Sequence, residues 1–205
     1  FPTIIEAKAK LIQKDVRLVT GEAMNPFIYG ETSISNLVKR FPINYIFKPL
    51  VYLGVLLMFL YWSYYNKIFQ NIKKEFNIFF IFGILSAIFL FFHVLFLGTS
   101  IKTELFSNIR RIIIVLFILF ELLAQIFLTK KIFELRNTIN LFTNLKIVFL
   151  KVFFVTAVII ITFLVLIILS IFNLPSKIDY ILEWNYFLFL LFFYLLSFLM
   201  WKKQN

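Results

Sequence analysis

The residues best placed to do chemistry lie inside apolar sequence. The stretch 112–129 is apolar except for Glu121 near its centre and Gln125 four residues later, a spacing that puts both side chains on one helix face. A glutamate at the bilayer centre costs about 2.5–3.5 kcal/mol on insertion scales, so it must face other helices, be protonated or be paired. Glu121 and Gln125 therefore indicate either a proton, cation, headgroup or quinone site, or hydrogen bonds that join two helices.

His93 is the third candidate for an intramembrane polar site. It is the only histidine of the chain, and the chain has no cysteine. A bis-histidine haem, a multi-histidine metal site and a thiolate site are therefore excluded within this chain, and we predict no metal and no cofactor. The sequence favours a packed or interfacial histidine. We expect His93 and Glu121 to differ in depth by about two helical turns.

Pairs of basic residues flank the stretch that holds Glu121. Arg110 and Arg111 precede it, and Lys130 and Lys131 follow it. All four are candidates for contact with anionic lipid headgroups, and ordinary interfacial anchoring is the alternative.

Lys151 lies about one turn inside a later apolar stretch. A lysine at that depth is predicted to extend its ammonium group to the interface. The alternative is a salt bridge to Glu134 or to a partner subunit.

The sequence lacks the motifs of common enzymes. There is no Walker-type glycine loop and no GxSxG, HExxH or GxGxxG motif. With one histidine and no cysteine, most pairings of a nucleophile with a base lack a member. We predict no catalytic residues and consider an enzyme less favoured than a non-catalytic protein.

Composition places the chain in a membrane. It has 205 residues, of which 62% are hydrophobic and 15% charged, whereas a soluble domain is about half apolar and a quarter charged. Several apolar runs approach the ~20 residues that a membrane-spanning helix needs, and a β-barrel would show short alternating segments instead. We predict an all-α polytopic membrane bundle.

Five spans are predicted, and a sixth preceding Phe1 is an alternative. They cover about 43–65, 76–98, 112–129, 147–174 and 184–201. Small residues at 83, 86 and 87 mark a close helix approach, and the tyrosines and the tryptophan of 61–65 are assigned to an interfacial aromatic belt. Residues 1–42 form an extramembrane segment, with an amphipathic helix at 3–19, a loop at 20–31 and a short interfacial helix at 33–41.

The formal net charge of +11 is concentrated at helix ends and in loops, which favours contact with lipid headgroups over nucleic acid. Nine Lys and Arg fall in the loops 66–75 and 130–146 and at the C-terminus. The other side has four in the loops 99–111 and 173–183, or seven with Lys39, Arg40 and Lys48 near the first span, so the difference is modest. The positive-inside rule then places the C-terminus in the cytoplasm or matrix and the N-terminal segment on the opposite side. The composition suits a bacterial inner membrane or an organelle inner membrane.

Three functional hypotheses follow. The first is a structural or accessory subunit of a larger membrane complex, with lipids and other membrane subunits as partners. The second is a small transporter or ion-translocating protein that uses Glu121 and Gln125. The third is a membrane enzyme that acts on lipid through Glu121 or His93, with Arg110 and Arg111.

Overall fold

The chain is all-α throughout the described part of the structure, a computed structural model that describes residues 25–29, 34, 43–97, 103–139, 141–171 and 177–202. The predicted amphipathic helix at 3–19, nearly all of the predicted helix at 33–41 and any span before Phe1 lie outside these ranges. The helices of the described ranges are α1 (Pro26–Tyr29), α2 (Ile43–Ile72), α3 (Ile78–Phe96), α4 (Glu104–Glu134), α5 (Arg136–Ile139), α6 (Leu145–Ile171) and α7 (Lys177–Leu199).

Five of these helices, α2, α3, α4, α6 and α7, are long and apolar enough to cross a bilayer. The prediction of a polytopic helical membrane protein is therefore confirmed. The span boundaries differ from those predicted. α2 continues to Ile72 because its last turns bury Phe69 in the core. α4 begins at Glu104, where the Thr103 hydroxyl accepts a hydrogen bond from the Phe106 amide, and α7 already begins at Lys177.

A short helix occupies part of the predicted loop 20–31. α1 begins at Pro26, whose fixed φ suits a first helical position. The preceding Asn25 accepts a hydrogen bond at its Oδ1 from the Phe27 amide, at 3.0 Å, as a helix N-cap does. The predicted loop at 20–31 was therefore wrong for Pro26–Tyr29. α1 packs on α7 through an edge-on contact between Phe27 and Trp184.

The spanning helices pack in a closed arrangement. α3 lies between α2 and α4, α4 also contacts α6, and α6 contacts α7. The aromatic side chains of α7 reach α2, where Phe193 stacks on Trp62 with ring centroids 6.5 Å apart. Gly83 of α3 faces the Trp62 indole so closely that any Cβ there would overlap the ring. The close approach predicted at 83–87 is therefore observed.

One end of the bundle, called the basic end below, collects the ends of α2, α4 and α7 and the beginnings of α3 and α6. The Asn144 amide donates to the Met200 carbonyl at 2.7 Å, and the Lys202 amide donates to the Phe142 carbonyl at 2.8 Å. Lys131 at the end of α4 pairs with Glu75 in the loop between α2 and α3. These contacts close the bundle over its interior at the basic end.

The outer surface is apolar and the interior holds polar groups. Large apolar side chains face outward along the spanning helices, such as Leu57, Phe153 and Phe163. The interior contains Glu121 and Lys151, both with no exposed surface. This distribution suits a protein whose outer surface is solvated by hydrocarbon.

Candidate functional site

Glu121 is the centre of a buried hydrogen-bond cluster. Its Oε2 lies 2.6 Å from Ser86 Oγ, and its Oε1 accepts from Gln125 Nε2 at 3.1 Å and from the Tyr194 hydroxyl at 2.8 Å. The apolar span of α4 is Asn108–Glu134. Glu121 therefore lies about 13 residues, or about 20 Å, from either end of this span. The four side chains of Glu121, Ser86, Gln125 and Tyr194 are called the Glu121 cluster below.

Three helices build the cluster. Glu121 and Gln125 project from one face of α4, as predicted. α3 approaches α4 closely, which brings the Ser86 hydroxyl to the carboxyl group, and α7 contributes Tyr194. One turn away, the Tyr186 hydroxyl donates to the Ile118 carbonyl at 3.2 Å and fixes α7 to α4.

The number of hydrogen bonds that the Glu121 cluster can form depends on whether Glu121 is protonated. The Ser86 hydroxyl has one hydrogen, yet its oxygen lies within bonding distance of both Glu121 Oε2 and the Gly83 carbonyl, the latter at 2.9 Å. If Glu121 is protonated on Oε2, the carboxylic acid donates to Ser86 and Ser86 donates to Gly83. A hydrogen then lies between the two oxygens of each contact, Glu121 to Ser86 and Ser86 to Gly83. If Glu121 is ionised, the two acceptors compete for one hydrogen.

Lys151 of α6 is the second buried ionisable group. Its Nζ donates to Ser197 Oγ at 2.7 Å and lies 4.3 Å from the centroid of the Phe193 ring. The prediction that Lys151 reaches the interface was wrong, because aromatic residues of α2 and α7 cover it. The alternative salt bridge with Glu134 was wrong as well, since Glu134 pairs with Lys130 at 3.9 Å.

Hydrogen bonds around Tyr65 seal Lys151 from the basic end. The Trp201 indole nitrogen donates to the Tyr65 hydroxyl at 2.9 Å, and that hydroxyl donates to the Ser197 carbonyl at 3.1 Å. The Tyr65 ring centroid lies 6.0 Å from Lys151 Nζ. Lys151 follows Leu145 by six residues, so it lies about 9 Å inside the start of α6.

Tyr61 connects the two buried ionisable groups. Its ring centroid lies 4.7 Å from that of Tyr194 and 4.6 Å from that of Tyr65. Its hydroxyl is buried beside Ser197 and has no hydrogen-bond partner among the described residues. A file of polar side chains thus leads from mid-membrane toward the basic end. This polar file consists of Glu121, Tyr194, Tyr61, Ser197 and Lys151.

Four residues that belong to the polar file or to the Glu121 cluster were not predicted from the sequence to be site residues. Tyr61 was assigned to an interfacial aromatic belt, and Ser86 only to a close helix approach. Tyr194 and Ser197 were not singled out, although they lie one turn apart inside an apolar run. Two polar residues one turn apart in an apolar run were the available signal for a site on α7. Whether they form a site depends on which helix faces α7.

His93 lies apart from the Glu121 cluster. Ser86, which faces Glu121, precedes His93 by seven residues on α3, so the separation along the helix is about 10 Å. This agrees with the expected difference of two turns. His93 is partly exposed, and its Nδ1 is buried with no hydrogen-bond partner in the described ranges.

The four predicted headgroup contacts have different surroundings. Arg110 is partly buried and interacts electrostatically with His93, whereas Arg111 is exposed. Lys131 keeps only 16% of its side chain exposed in its pair with Glu75. Lys130 is exposed.

The Glu75–Lys131 pair shifts the titration of its carboxylate. Glu75 lies in the loop between α2 and α3, outside the membrane-spanning helices. The hydrogen bond and the positive charge of Lys131, helped by the charge of Lys73, lower the Glu75 pKa below its ordinary value. The pair links two loops at the basic end.

Among the described residues, no group of three or more His, Cys, Asp and Glu is arranged to hold a metal ion. No protein-family model, curated protein or solved structure matches the chain. The fold and the site together define a class, a polytopic all-α membrane protein in whose described part a glutamate and a lysine, Glu121 and Lys151, are buried in the interior.

Proposed function

We propose that this protein is an ion-translocating membrane protein whose transported ion is a proton, with Glu121 and Lys151 as the exchanging groups. The observation that carries the proposal is the polar file, which leads from Glu121 to Lys151 through hydroxyl-bearing side chains of α2 and α7. Within the polar file, Tyr61 contacts Tyr194 through their rings and not through a hydrogen bond. Ionisable residues inside a membrane bundle commonly mark such pathways.

Helix packing alone gives little reason for a lysine in this position. Lys151 has no ion pair among the described residues, and its hydrogen bond goes to a neutral hydroxyl. The Phe193 ring contributes a cation–π contact, worth about 0.5–2 kcal/mol. Removing a charge from water costs several kcal/mol. A group that alternates between ammonium and amine explains the arrangement better than a fixed charge does.

Transfer along the polar file requires two hydroxyl groups to turn toward each other. They are the Ser197 hydroxyl, which donates to the Phe193 carbonyl at 2.7 Å, and the Tyr61 hydroxyl, which has no hydrogen-bond partner among the described residues. Lys151 gives a proton to Ser197 Oγ, which passes its own hydrogen to the Tyr61 hydroxyl. Tyr61 relays a hydrogen in the same way after turning toward Ser197 and Tyr194. Once Glu121 has released its own proton, its ionised Oε1 accepts the hydrogen from Tyr194. Each hydroxyl ends with one hydrogen, and the net result is one proton moved by about 10 Å in depth.

The polar file covers the half of the bilayer between the basic end and the middle. Release of the proton from Glu121 toward the opposite end requires a change in helix packing near Tyr186, which closes that side with its bond to Ile118. From the distribution of Lys and Arg, we place the basic end in the cytoplasm or matrix. The membrane is a bacterial inner membrane or an organelle inner membrane.

Proton flux into liposomes tests this function. Purified protein is reconstituted with a pH-sensitive dye inside, and a potassium gradient with valinomycin supplies the driving voltage. The wild-type protein is expected to acidify the lumen faster than empty liposomes do. Glu121→Gln keeps the shape of the side chain, removes its exchangeable acid group and is expected to reduce the flux to the background rate.

Thr129→Val is the matched control. Thr129 lies two turns from Glu121 on α4, is buried, and has a hydroxyl without a hydrogen-bond partner among the described residues. Its removal leaves the polar file intact, so the wild-type flux is expected. A flux in Glu121→Gln equal to that of the wild type contradicts the proposal.

The apolar outer face of α6 favours a second function, an accessory subunit of a membrane complex. Its exposed side chains include Phe153, Ile160 and Phe163, and either lipid or a neighbouring subunit can cover such a face. Purification in mild detergent separates the two cases. A monodisperse monomer without a co-purifying chain counts against the accessory role.

Action on lipid as an enzyme stays a prediction of the sequence. That hypothesis uses Glu121 or His93 with Arg110 and Arg111. Arg110 interacts electrostatically with His93, whereas Glu121 lies about 10 Å deeper than His93.

A further inference from the structure

The end of the bundle opposite the basic end carries a second group of polar atoms, on α3 and α4. The Phe96 and Phe106 rings are in contact there, with centroids 5.6 Å apart, and this contact sets the register of the two antiparallel helices. One turn inward on each helix lie His93 and Arg110. This register explains why Arg110 interacts electrostatically with His93.

Both side chains hold a buried nitrogen that lacks a partner. His93 Nδ1 and Arg110 Nε make no hydrogen bond within the described ranges. The Arg110 Nε–H group can only donate, and a buried donor without an acceptor is unfavourable. The guanidinium also lies 5.7 Å from the Phe106 ring centroid, and no ion pair of Arg110 is found in the part of the chain that the structure describes.

Arg110 thus contributes a permanent positive charge and His93 an imidazole ring. No carboxylate of the described residues is bound to either group. A guanidinium matches the oxygens of a phosphate group with two parallel hydrogen bonds. The neutral imidazole supplies one more N–H donor. The pair lies within one turn of the span ends at Phe96 of α3 and Asn108 of α4, which is near the expected level of the lipid headgroups.

We propose that His93 and Arg110 form a binding site for a phosphate group, carried by an anionic lipid headgroup at the membrane surface. Arg110 is the principal ligand and His93 the second. Arg111 is exposed and serves as an interfacial anchor outside the site. The site is independent of the polar file, which lies deeper and toward the basic end.

Native mass spectrometry of the full-length protein in mild detergent tests the site. Phosphatidylglycerol is added as the anionic lipid, and diacylglycerol serves as the lipid without phosphate. The wild-type protein is expected to retain phosphatidylglycerol but not diacylglycerol. Arg110→Gln is expected to weaken phosphatidylglycerol binding about tenfold, the loss of a charge-assisted hydrogen bond.

Arg111→Gln is the matched control, because it removes the same charge from the neighbouring position. Its affinity is expected to stay within about twofold of the wild-type value, as suits an exposed charge. Arg110→Lys keeps the charge without the planar fork and is expected to lose only part of the affinity. His93→Phe keeps the ring shape and is expected to lose less affinity than Arg110→Gln.

Two results overturn the proposal. Equal lipid binding by Arg110→Gln and Arg111→Gln shows that general charge attraction accounts for the binding. Displacement of phosphatidylglycerol by an equal concentration of inorganic phosphate assigns the site to the free anion and refutes the lipid headgroup. If Arg110→Gln fails to fold, Arg110→Lys and His93→Phe carry the test, and wild-type affinity in both refutes the site.

Discussion

Replacing Glu121 by Gln tests the protonation of the Glu121 cluster through the stability of the bundle. In the protonated cluster, Oε1 accepts two hydrogen bonds and Oε2 donates one to Ser86. A glutamine amide reproduces this pattern, because its oxygen accepts from Gln125 and Tyr194 and its NH₂ group donates to Ser86. We therefore expect the free energy of unfolding of Glu121→Gln to stay within about 1 kcal/mol of the wild-type value, about the contribution of one typical hydrogen bond.

Glu121→Leu supplies the comparison. It removes all three hydrogen bonds, and side-chain bonds in membrane proteins average about 0.6 kcal/mol, or about 2 kcal/mol for the three. It also leaves the Gln125 amide and the Tyr194 hydroxyl buried without their acceptor, at about 1–3 kcal/mol each. A total loss of about 4–8 kcal/mol follows when these contributions are added.

Reversible unfolding in mixed micelles of mild detergent and sodium dodecyl sulfate measures both variants, with tryptophan fluorescence as the signal. An ionised Glu121 would make charge-assisted hydrogen bonds of about 1.5–3 kcal/mol each, which glutamine cannot replace. A loss in Glu121→Gln as large as that in Glu121→Leu would therefore refute the protonated cluster.

Two further predictions concern helix packing and the basic end. Gly83→Ala is expected to destabilise the bundle by about 1–3 kcal/mol, because the new Cβ overlaps the buried Trp62 indole. Gly54→Ala is the control, since nothing lies within 4 Å of its Cβ. It should be neutral or slightly stabilising in the same unfolding assay. Lys131→Met is expected to raise the Glu75 pKa toward its ordinary value in a ¹³C NMR titration. Since that pKa is lowered in the folded protein, the stabilising effect of the pair should be present at neutral pH and disappear as the pH falls through the folded-state pKa. An unchanged Glu75 titration, or equal effects of the two glycine variants, would contradict these predictions.

The sequence was sufficient for the fold class because hydrophobic run length decides whether a helix crosses a bilayer. It was also sufficient to select Glu121 and Gln125, since a carboxyl group in the middle of an apolar run has few acceptable surroundings. The boundaries were less predictable. The last turns of α2 are stabilised by burial of Phe69 against other helices, and a local pattern does not contain that contact.

Lys151 shows why the rest of the site could not be predicted. Lysine near the end of an apolar run normally extends to the interface, and the sequence gives no reason to expect otherwise. Its burial depends on the Tyr65 ring, the Phe193 ring and Trp201, which come from distant parts of the chain. Only the arrangement of α2, α6 and α7 turns these residues into one site.

Lys151→Met gives the most direct test of the proposed proton pathway. Methionine has a similar length and no charge, so the bundle should keep its stability or gain some, as when buried charges are replaced by apolar side chains. This folded variant, reconstituted in liposomes, is expected to transport protons no faster than empty liposomes do. Wild-type proton flux in folded Lys151→Met would contradict a pathway through Lys151.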